Sequence, residues 1–205
     1  MKIYLIRHGK TVGNLQRRYI GSTDEPLSPK GIGELMEIAG RNGLFLPGPE
    51  VSGAVYVSGL LRTKETAELL FPGRKLRVRT DFNECDFGEF ENKNYEELKD
   101  DPAYQSWIDS GGLAAPPDGE AKADFSARTC RGFLLSVEEL LKEGGSFGAF
   151  VVHGGSIMAI LEQFAFPKKE FYDWQAKNGC GFMADLKEDL WKTGNQILTN
   201  IRSIP

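Results

Sequence analysis

An α/β fold, a three-layer sandwich with a mainly parallel central sheet flanked by helices, is the architecture this sequence predicts. Three observations predict it. Short apolar runs rich in β-branched and aromatic residues alternate with segments of helical period, the pattern of βα units that lay parallel strands side by side. A length of 205 residues suits one domain of roughly 150 residues with room for an insertion. Hydrophobic residues at 40% and charged residues at 26% supply a core and argue against low complexity or disorder.

Taken in order, Lys2 to Ile6 predicts the first strand. Ser28 is an N-cap and Pro29 a first helical residue, and Ile32, Leu35, Met36 and Ala39 recur at i, i+3, i+4, i+7, a stripe expected to face the sheet. Ala54 to Val57 predicts the next strand. A helix from near Ser58 follows, with Arg62 in its first turn and Pro72-Gly73 as its stop. Leu76 to Val78 is a short strand. From 81 to 119 the strand signals vanish, and acidic stretches with a Gly-Gly, Pro-Pro punctuated loop predict a small helical insertion within a single domain spanning 1–205. A long helix from about Ala123 to Lys142 ends at Gly144-Gly145, and Ala149 to Val152 is a strand followed by another helix. Two weak strands, Gly181 to Leu186 and Gln196 to Ile201, read as a hairpin at the sheet edge.

Composition also excludes function classes. A net charge of -4 lacks the basic surplus of a nucleic-acid-coating surface, so no nucleic-acid partner is expected. The longest apolar runs are about five residues, against roughly 20 for a membrane span, so no membrane partner is expected either. The N-terminal residues do not form a secretory signal, which predicts a cytoplasmic protein. Three cysteines without paired spacing read as free thiols, and no metal site is expected. The expected partner is a small molecule.

Only two histidines occur, and each follows an apolar strand and precedes a glycine: Ile6-Arg7-His8-Gly9 and Val152-His153-Gly154-Gly155. Ligands of open α/β sheets bind outside the carboxyl ends of strands. Both imidazoles are therefore expected at one edge, on loops whose glycines admit a substrate. Arg7 carries a permanent charge on a planar fork matched to phosphate or carboxylate. Arg62 lies in a helix's opening turn, where backbone N–H groups also favour an anion. The expected ligand is an anion.

Leu5 to Asn14 (Leu-Ile-Arg-His-Gly-Lys-Thr-Val-Gly-Asn) resembles the signature of the histidine phosphatase, or phosphoglycerate-mutase-like, superfamily. Arg18 to Gly31 resembles its R-x-x-G-x-x-D-x-P-L-[ST]-x-x-G stretch, Ser58 to Ala67 its S-P-L-x-R-A-x-x-T-A, and Glu84 to Glu91 its E-x-x-F-G-x-[WF]-E. With Val151 to Gly155, the resemblance spans about residues 2 to 160. It implies a metal-independent phosphomonoester hydrolase without a cofactor, acting on a small phosphorylated metabolite, with the insertion over the active site. His8 would be the nucleophile that becomes phosphohistidine, and Glu84 the general acid and base. Arg7, Arg62, His153 and Asn14 would hold the phosphoryl oxygens, and Gly21 would also bind substrate.

Departures from the family pattern narrow the activity. Where the mutases have a Tyr three residues after the catalytic Glu and a Lys some eight further, Phe87 and Tyr95 stand here, so a phosphoglycerate clamp is lacking. The short interval from Glu84 to His153 and the Pro117-Asp118-Gly119-Glu120 stretch resemble the compact phosphatases, including α-ribazole-5′-phosphate phosphatases. Tyr19, Phe87, Phe90 and Tyr95 are candidates for an apolar wall around the leaving group. Gly59 and Thr63 replace the usual Pro and Ala around the second arginine, and Asn92 replaces a Gly, a substitution that Asn's tolerance of left-handed backbone allows. A cofactor-dependent phosphoglycerate mutase and a non-catalytic phospho-ligand binding protein are the alternatives.

Overall fold

The computed structural model describes residues 1–42, 46–48 and 50–205. In chain order the elements are β1 (Lys2–Arg7), α1 (Val12–Leu15), α2 (Pro29–Asn42), β2 (Gly53–Val57), α3 (Leu61–Leu70), β3 (Leu76–Val78), α4 (Tyr95–Leu98), α5 (Pro102–Asp109), α6 (Lys122–Lys142), β4 (Phe147–Val152), α7 (Gly154–Phe164), β5 (Gly181–Leu186), α8 (Glu188–Lys192) and β6 (Leu198–Ile204). Single 3₁₀ turns lie at Thr80–Phe82, Gly88–Phe90 and Phe171–Trp174.

One six-stranded sheet runs β3-β2-β4-β1-β5-β6. The pairs β2/β3, β2/β4 and β1/β4 are parallel, and β1/β5 and β5/β6 antiparallel. Strands covered on both faces read as continuous apolar runs, and alternate residues feed two cores. Ile3, Leu5, Tyr56, Phe150 and Val152 join Phe133, Val137 and Leu140 of α6 and Ile157, Ile160 and Leu161 of α7 on one side. Tyr4, Ile6, Val55, Val57 and Val151 join Leu35 of α2 and Ala67 and Leu70 of α3 on the other. This is the three-layer α/β sandwich. The edge hairpin is also present, but with α8 between its strands and with its second strand running to Ile204.

Helix α2 starts where expected: Ser28 Oγ accepts from the Gly31 N–H at 3.0 Å. Its buried stripe is rotated from the expected one. Leu35 is buried, but Ile32 and Met36 are 37% and 61% exposed, and Gly31 turns inward instead. A Cβ at Gly31 would lie 2.1 Å from the Lys10 carbonyl oxygen, so the loop after β1 packs on bare backbone there. Apolar periodicity located the helix, and this close approach set its rotation.

Between β3 and α6 there is no strand among the described residues. Phe90, Leu98 and Tyr104 form a separate small core, with Tyr19, Phe87 and Trp107 packed against it. Its aromatic rings meet edge to face, Phe90 and Tyr104 at 5.4 Å and Tyr19 and Trp107 at 5.6 Å between centroids.

Candidate active site

Three adjacent parallel strands deliver the central groups. β2, β4 and β1 lie side by side, with Arg7 opposite Val152 and Val57 opposite Val151. The next residues, Ser58, His153 and His8, therefore emerge together at the carboxyl edge of the sheet. The His8 and His153 rings are 5.1 Å apart in an edge-to-face arrangement. Two residues 145 positions apart in the chain thus share one site because their strands are neighbours.

Each ring nitrogen has a defined environment. His8 Nδ1 is 2.7 Å from the Gly9 carbonyl, which can only accept, so Nδ1 carries the proton and Nε2 a lone pair. Burial, then the charges of Arg62 and Arg7, hold the His8 pKa well below the usual imidazole value, although the Gly9 carbonyl pulls the other way. His8 is neutral at pH 7. His153 Nε2 is 2.9 Å from Ser58 Oγ. Burial, then Arg62, His8 and Arg7, push its pKa well down too.

The arginines are tied by their ends and open along their sides. Arg7 Nη1 donates to the Ala176 carbonyl at 2.9 Å. Arg62, fully buried in the first turn of α3, donates from Nη1 to Thr23 O and from Nη2 to Gly21 O, both at 2.8 Å. Arg7 Nε, Arg62 Nε and His153 Nδ1 are buried without any partner among the described residues. Buried N–H groups are rarely left unpaired. Two guanidinium N–H donors held so beside a neutral imidazole form a cradle for an oxyanion.

Glu84 sits between these charges and the backbone. Its carboxylate accepts from Cys85 N–H and from Gly155 N–H, each at 3.1 Å. Burial raises its pKa against the pull of those two N–H groups and of Arg62 and Arg7. Whether burial or the arginines would prevail was undetermined by sequence, and burial prevails. Arg128 holds the segment in place, donating to the carbonyls of Asn83 and Glu84 at 2.7 and 3.0 Å and pairing with Glu120 at 2.6 Å.

Asn14 Oδ1 accepts from the Thr11 N–H at 3.2 Å and from Asn178 Nδ2 at 3.1 Å. Asn14 also lines the cavity described below. Gly21 differs from expectation. Its N–H donates to Glu91 at 3.0 Å and its carbonyl accepts from Arg62, so neither backbone group is available to a ligand. Glu91 also accepts from Ser22 N–H, Thr23 Oγ1 and Phe87 N–H, fixing the loop that holds Arg62. A Cβ at Gly21 would lie 1.9 Å from the Cys85 carbonyl oxygen and 2.4 Å from Glu91. Gly21→Ala is therefore expected to cost about 1–3 kcal/mol of stability and to lower activity by displacing Arg62; equal denaturation midpoints for variant and wild type would contradict this.

The loop glycines after the strands also serve a purpose other than the one expected. A Cβ at Gly9 would meet Leu35 at 2.5 Å, and one at Gly155 would meet Glu84 at 2.4 Å. They make room for protein side chains. Asn92, in contrast, adopts the left-handed backbone its composition allows, at φ 57°.

A cavity of about 320 Å³ opens onto Arg7, Asn14, Glu84, Gly154 and Gly155. His8, Arg62 and His153 are buried and are not among its lining residues. Tyr19 and Phe87 line its wall as expected, but Phe90 is fully buried in the small core and Tyr95 is 57% exposed outside the cavity. Trp107, Phe125, Phe171 and Tyr172 complete the wall instead. Cys85 also lines it; burial, then Glu84 and Glu120, push its thiol up to about 12, which leaves it protonated and unreactive at neutral pH.

Asn178 and Arg128 were not singled out by sequence, and Ser58 and Glu91 entered only as motif positions without an assigned role. Ser58 obeys the rule that marked the histidines, since it directly follows a strand. Asn178 gave no local signal, because it arrives from a loop far along the chain.

Known proteins are similar to this chain in sequence and in fold. The adenosylcobalamin/alpha-ribazole phosphatase of Salmonella typhimurium strain LT2 is 26% identical over 198 residues, covering 92% of each chain. The probable phosphoglycerate mutase GpmB of Salmonella arizonae is 30% identical over 162 residues, 75% of this chain and 70% of that one. The crystal structure of the alpha-ribazole phosphatase from Shigella flexneri superposes with a TM-score of 0.81 at 24% identity, covering all of this chain and 96% of the other, and so shares the fold. The model of the histidine phosphatase superfamily (branch 1) matches residues 3–195. With a family match over nearly its whole length and the fold to go with it, this chain belongs to the histidine phosphatase superfamily.

Proposed function

We propose that this protein hydrolyses small phosphomonoesters through a phosphohistidine formed on His8. The observation that carries the reading is the pair of unpartnered, buried arginine Nε–H groups beside a neutral histidine whose Gly9 bond leaves the lone pair on Nε2. In the first step His8 Nε2 attacks phosphorus and the ester P–O bond breaks. Arg7, Arg62, Asn14 and His153 hold the phosphoryl oxygens, where charge spreads in a loose transition state. Glu84, whose pKa burial raises so that its acid form persists above the ordinary carboxyl range, gives its proton to the leaving alkoxide. In the second step Glu84 takes a proton from water, which attacks phosphorus and breaks the N–P bond, releasing phosphate and free His8.

The substrate class follows from the wall. Tyr19, Phe87, Trp107, Phe171 and Tyr172 suit a leaving group with an aromatic face, which favours α-ribazole 5′-phosphate. The named phosphatases among the relatives support the same choice.

A panel of phosphorylated metabolites scored by released phosphate tests this. Release from α-ribazole 5′-phosphate is expected to exceed release from 3-phosphoglycerate. Interconversion of phosphoglycerates outpacing phosphate release would replace the reading with a mutase. Tight phosphate binding with no turnover of any substrate would replace it with a binding protein.

A further inference from the structure

Ser58, Thr63 and His153 are all 0% exposed and form one buried chain of hydrogen bonds. His153 Nε2 is 2.9 Å from Ser58 Oγ, Ser58 Oγ is 2.9 Å from Thr63 Oγ1, and Thr63 Oγ1 is 2.8 Å from the Leu60 carbonyl oxygen. These three contacts need three protons, and the two hydroxyls supply two. The Leu60 carbonyl can only accept, so the Thr63 proton goes there. Thr63 must then accept from Ser58. Ser58, its proton used, must accept from His153.

The count closes at Ser58, which donates once to Thr63 and accepts twice, from His153 and from Leu60 N–H at 3.1 Å. The opposite direction fails. If Ser58 donated to His153, Thr63 would have to donate to Ser58. Two oxygens, Thr63 Oγ1 and Leu60 O, would then face each other at 2.8 Å with no proton between them, in a place water does not reach.

We propose that Thr63 is a positioning residue that acts through Ser58 to hold His153 as its Nε2–H tautomer in the free enzyme, leaving Nδ1 as a bare acceptor in the site. His8 is the reverse, protonated on Nδ1 and bare at Nε2. The protein's two histidines thus carry their protons on opposite nitrogens. His153 Nδ1 is buried and unpartnered, as an acceptor awaiting a proton would be.

The consequence rests on the phosphatase reading. A phosphomonoester monoanion brings one P–O–H group, whose proton passes to His153 Nδ1. The products of that transfer are a phosphoryl dianion and an imidazolium that donates from Nε2 to Ser58 and from Nδ1 to a phosphoryl oxygen. Burial, then Arg62, His8, Arg7 and Arg128, hold the pKa of the empty ring well down, and the dianion offsets the arginine charges. Because Nε2–H is already in place, the ring accepts its second proton without exchanging tautomers.

Long-range ¹H–¹⁵N spectra of the free, full-length protein labelled on histidine test the tautomer directly at pH 8. His153→Gln assigns the two rings. The expected wild-type result is one ring protonated at Nδ1, His8, and one at Nε2, His153. A His153 ring protonated at Nδ1, or at both nitrogens, overturns the proposal. Thr63→Val frees the Ser58 proton and is expected to move the His153 proton to Nδ1, whereas Thr63→Ser keeps the wild-type pattern. An unchanged Nε2–H in a folded Thr63→Val protein would remove Thr63 from the role. If valine prevents folding, Thr63→Ala provides the same comparison, and the wild-type spectrum decides the tautomer in either case. Phosphate release by the wild-type enzyme is a separate readout, so loss of the phosphatase reading would leave the spectral result standing.

Discussion

His8→Ala is expected to lower turnover by roughly 10⁴-fold or more, to what binding and electrostatic stabilisation alone sustain. Phosphate should still bind, because Arg7 and Arg62 keep their anchors on Ala176, Thr23 and Gly21. Brief incubation of the wild-type protein with a ³²P-labelled phosphomonoester, quenched in base, should leave acid-labile label on His8 and none on the variant. The ring's setting makes the expectation specific. A histidine held neutral, with Nδ1 committed to a carbonyl, presents a lone pair at Nε2 and needs no separate base to activate it. The acid limb of the pH profile should follow from the same shift. Because the His8 pKa lies well below the ordinary value of about 6.5, the ring stays neutral and active as pH falls through that value, and activity is lost only at lower pH. Wild-type turnover by His8→Ala, or label on another residue, would end the phosphohistidine mechanism.

The second large effect concerns Glu84. Glu84→Gln should reduce kcat for alkyl phosphates by about 10²–10⁴-fold, and far less in the phosphorylation step with p-nitrophenyl phosphate, whose phenolate leaves without a proton. Because the second step needs Glu84 as a base, the variant should show a burst of nitrophenol followed by slow turnover. The sign of the pH effect is set by the raised pKa. Below it Glu84 is protonated and can donate; above it the acid is gone and the rate for alkyl phosphates falls. The wild-type basic limb should therefore lie above the ordinary carboxyl range and disappear in Glu84→Gln. Equal losses for alkyl and nitrophenyl esters in single-turnover experiments would show that Glu84 does not protonate the leaving group.

Both effects depend on a small set of backbone anchors, and several of these sit outside the motifs. Arg128 reaches from α6 to the carbonyls beside Glu84, and Asn178 reaches from the loop before β5 to His8 O and Asn14 Oδ1. Each anchor is a single side chain joining segments that are distant in sequence. Nothing in their local composition distinguishes them from solvated residues.

The sequence by itself determined the layer architecture, the strand positions and the edge at which the histidines gather. These follow from local apolar runs and from the rule that parallel strands deliver their following residues to one side. It also marked the ordered motifs holding Arg7, His8, Arg62, Glu84 and His153. What only the tertiary structure decided are contacts between segments: which face of α2 is buried, which aromatics line the cavity, and where Gly21 spends its hydrogen bonds. Phe90 and Phe87 are equally apolar on paper, yet the packing of Leu98 and Tyr104 takes one into a core and leaves the other on the cavity wall. The protonation states of Glu84 and the two histidines belong to the same class. Desolvation depends on everything that surrounds a group in space, and neighbours in the chain make up only a small part of those surroundings.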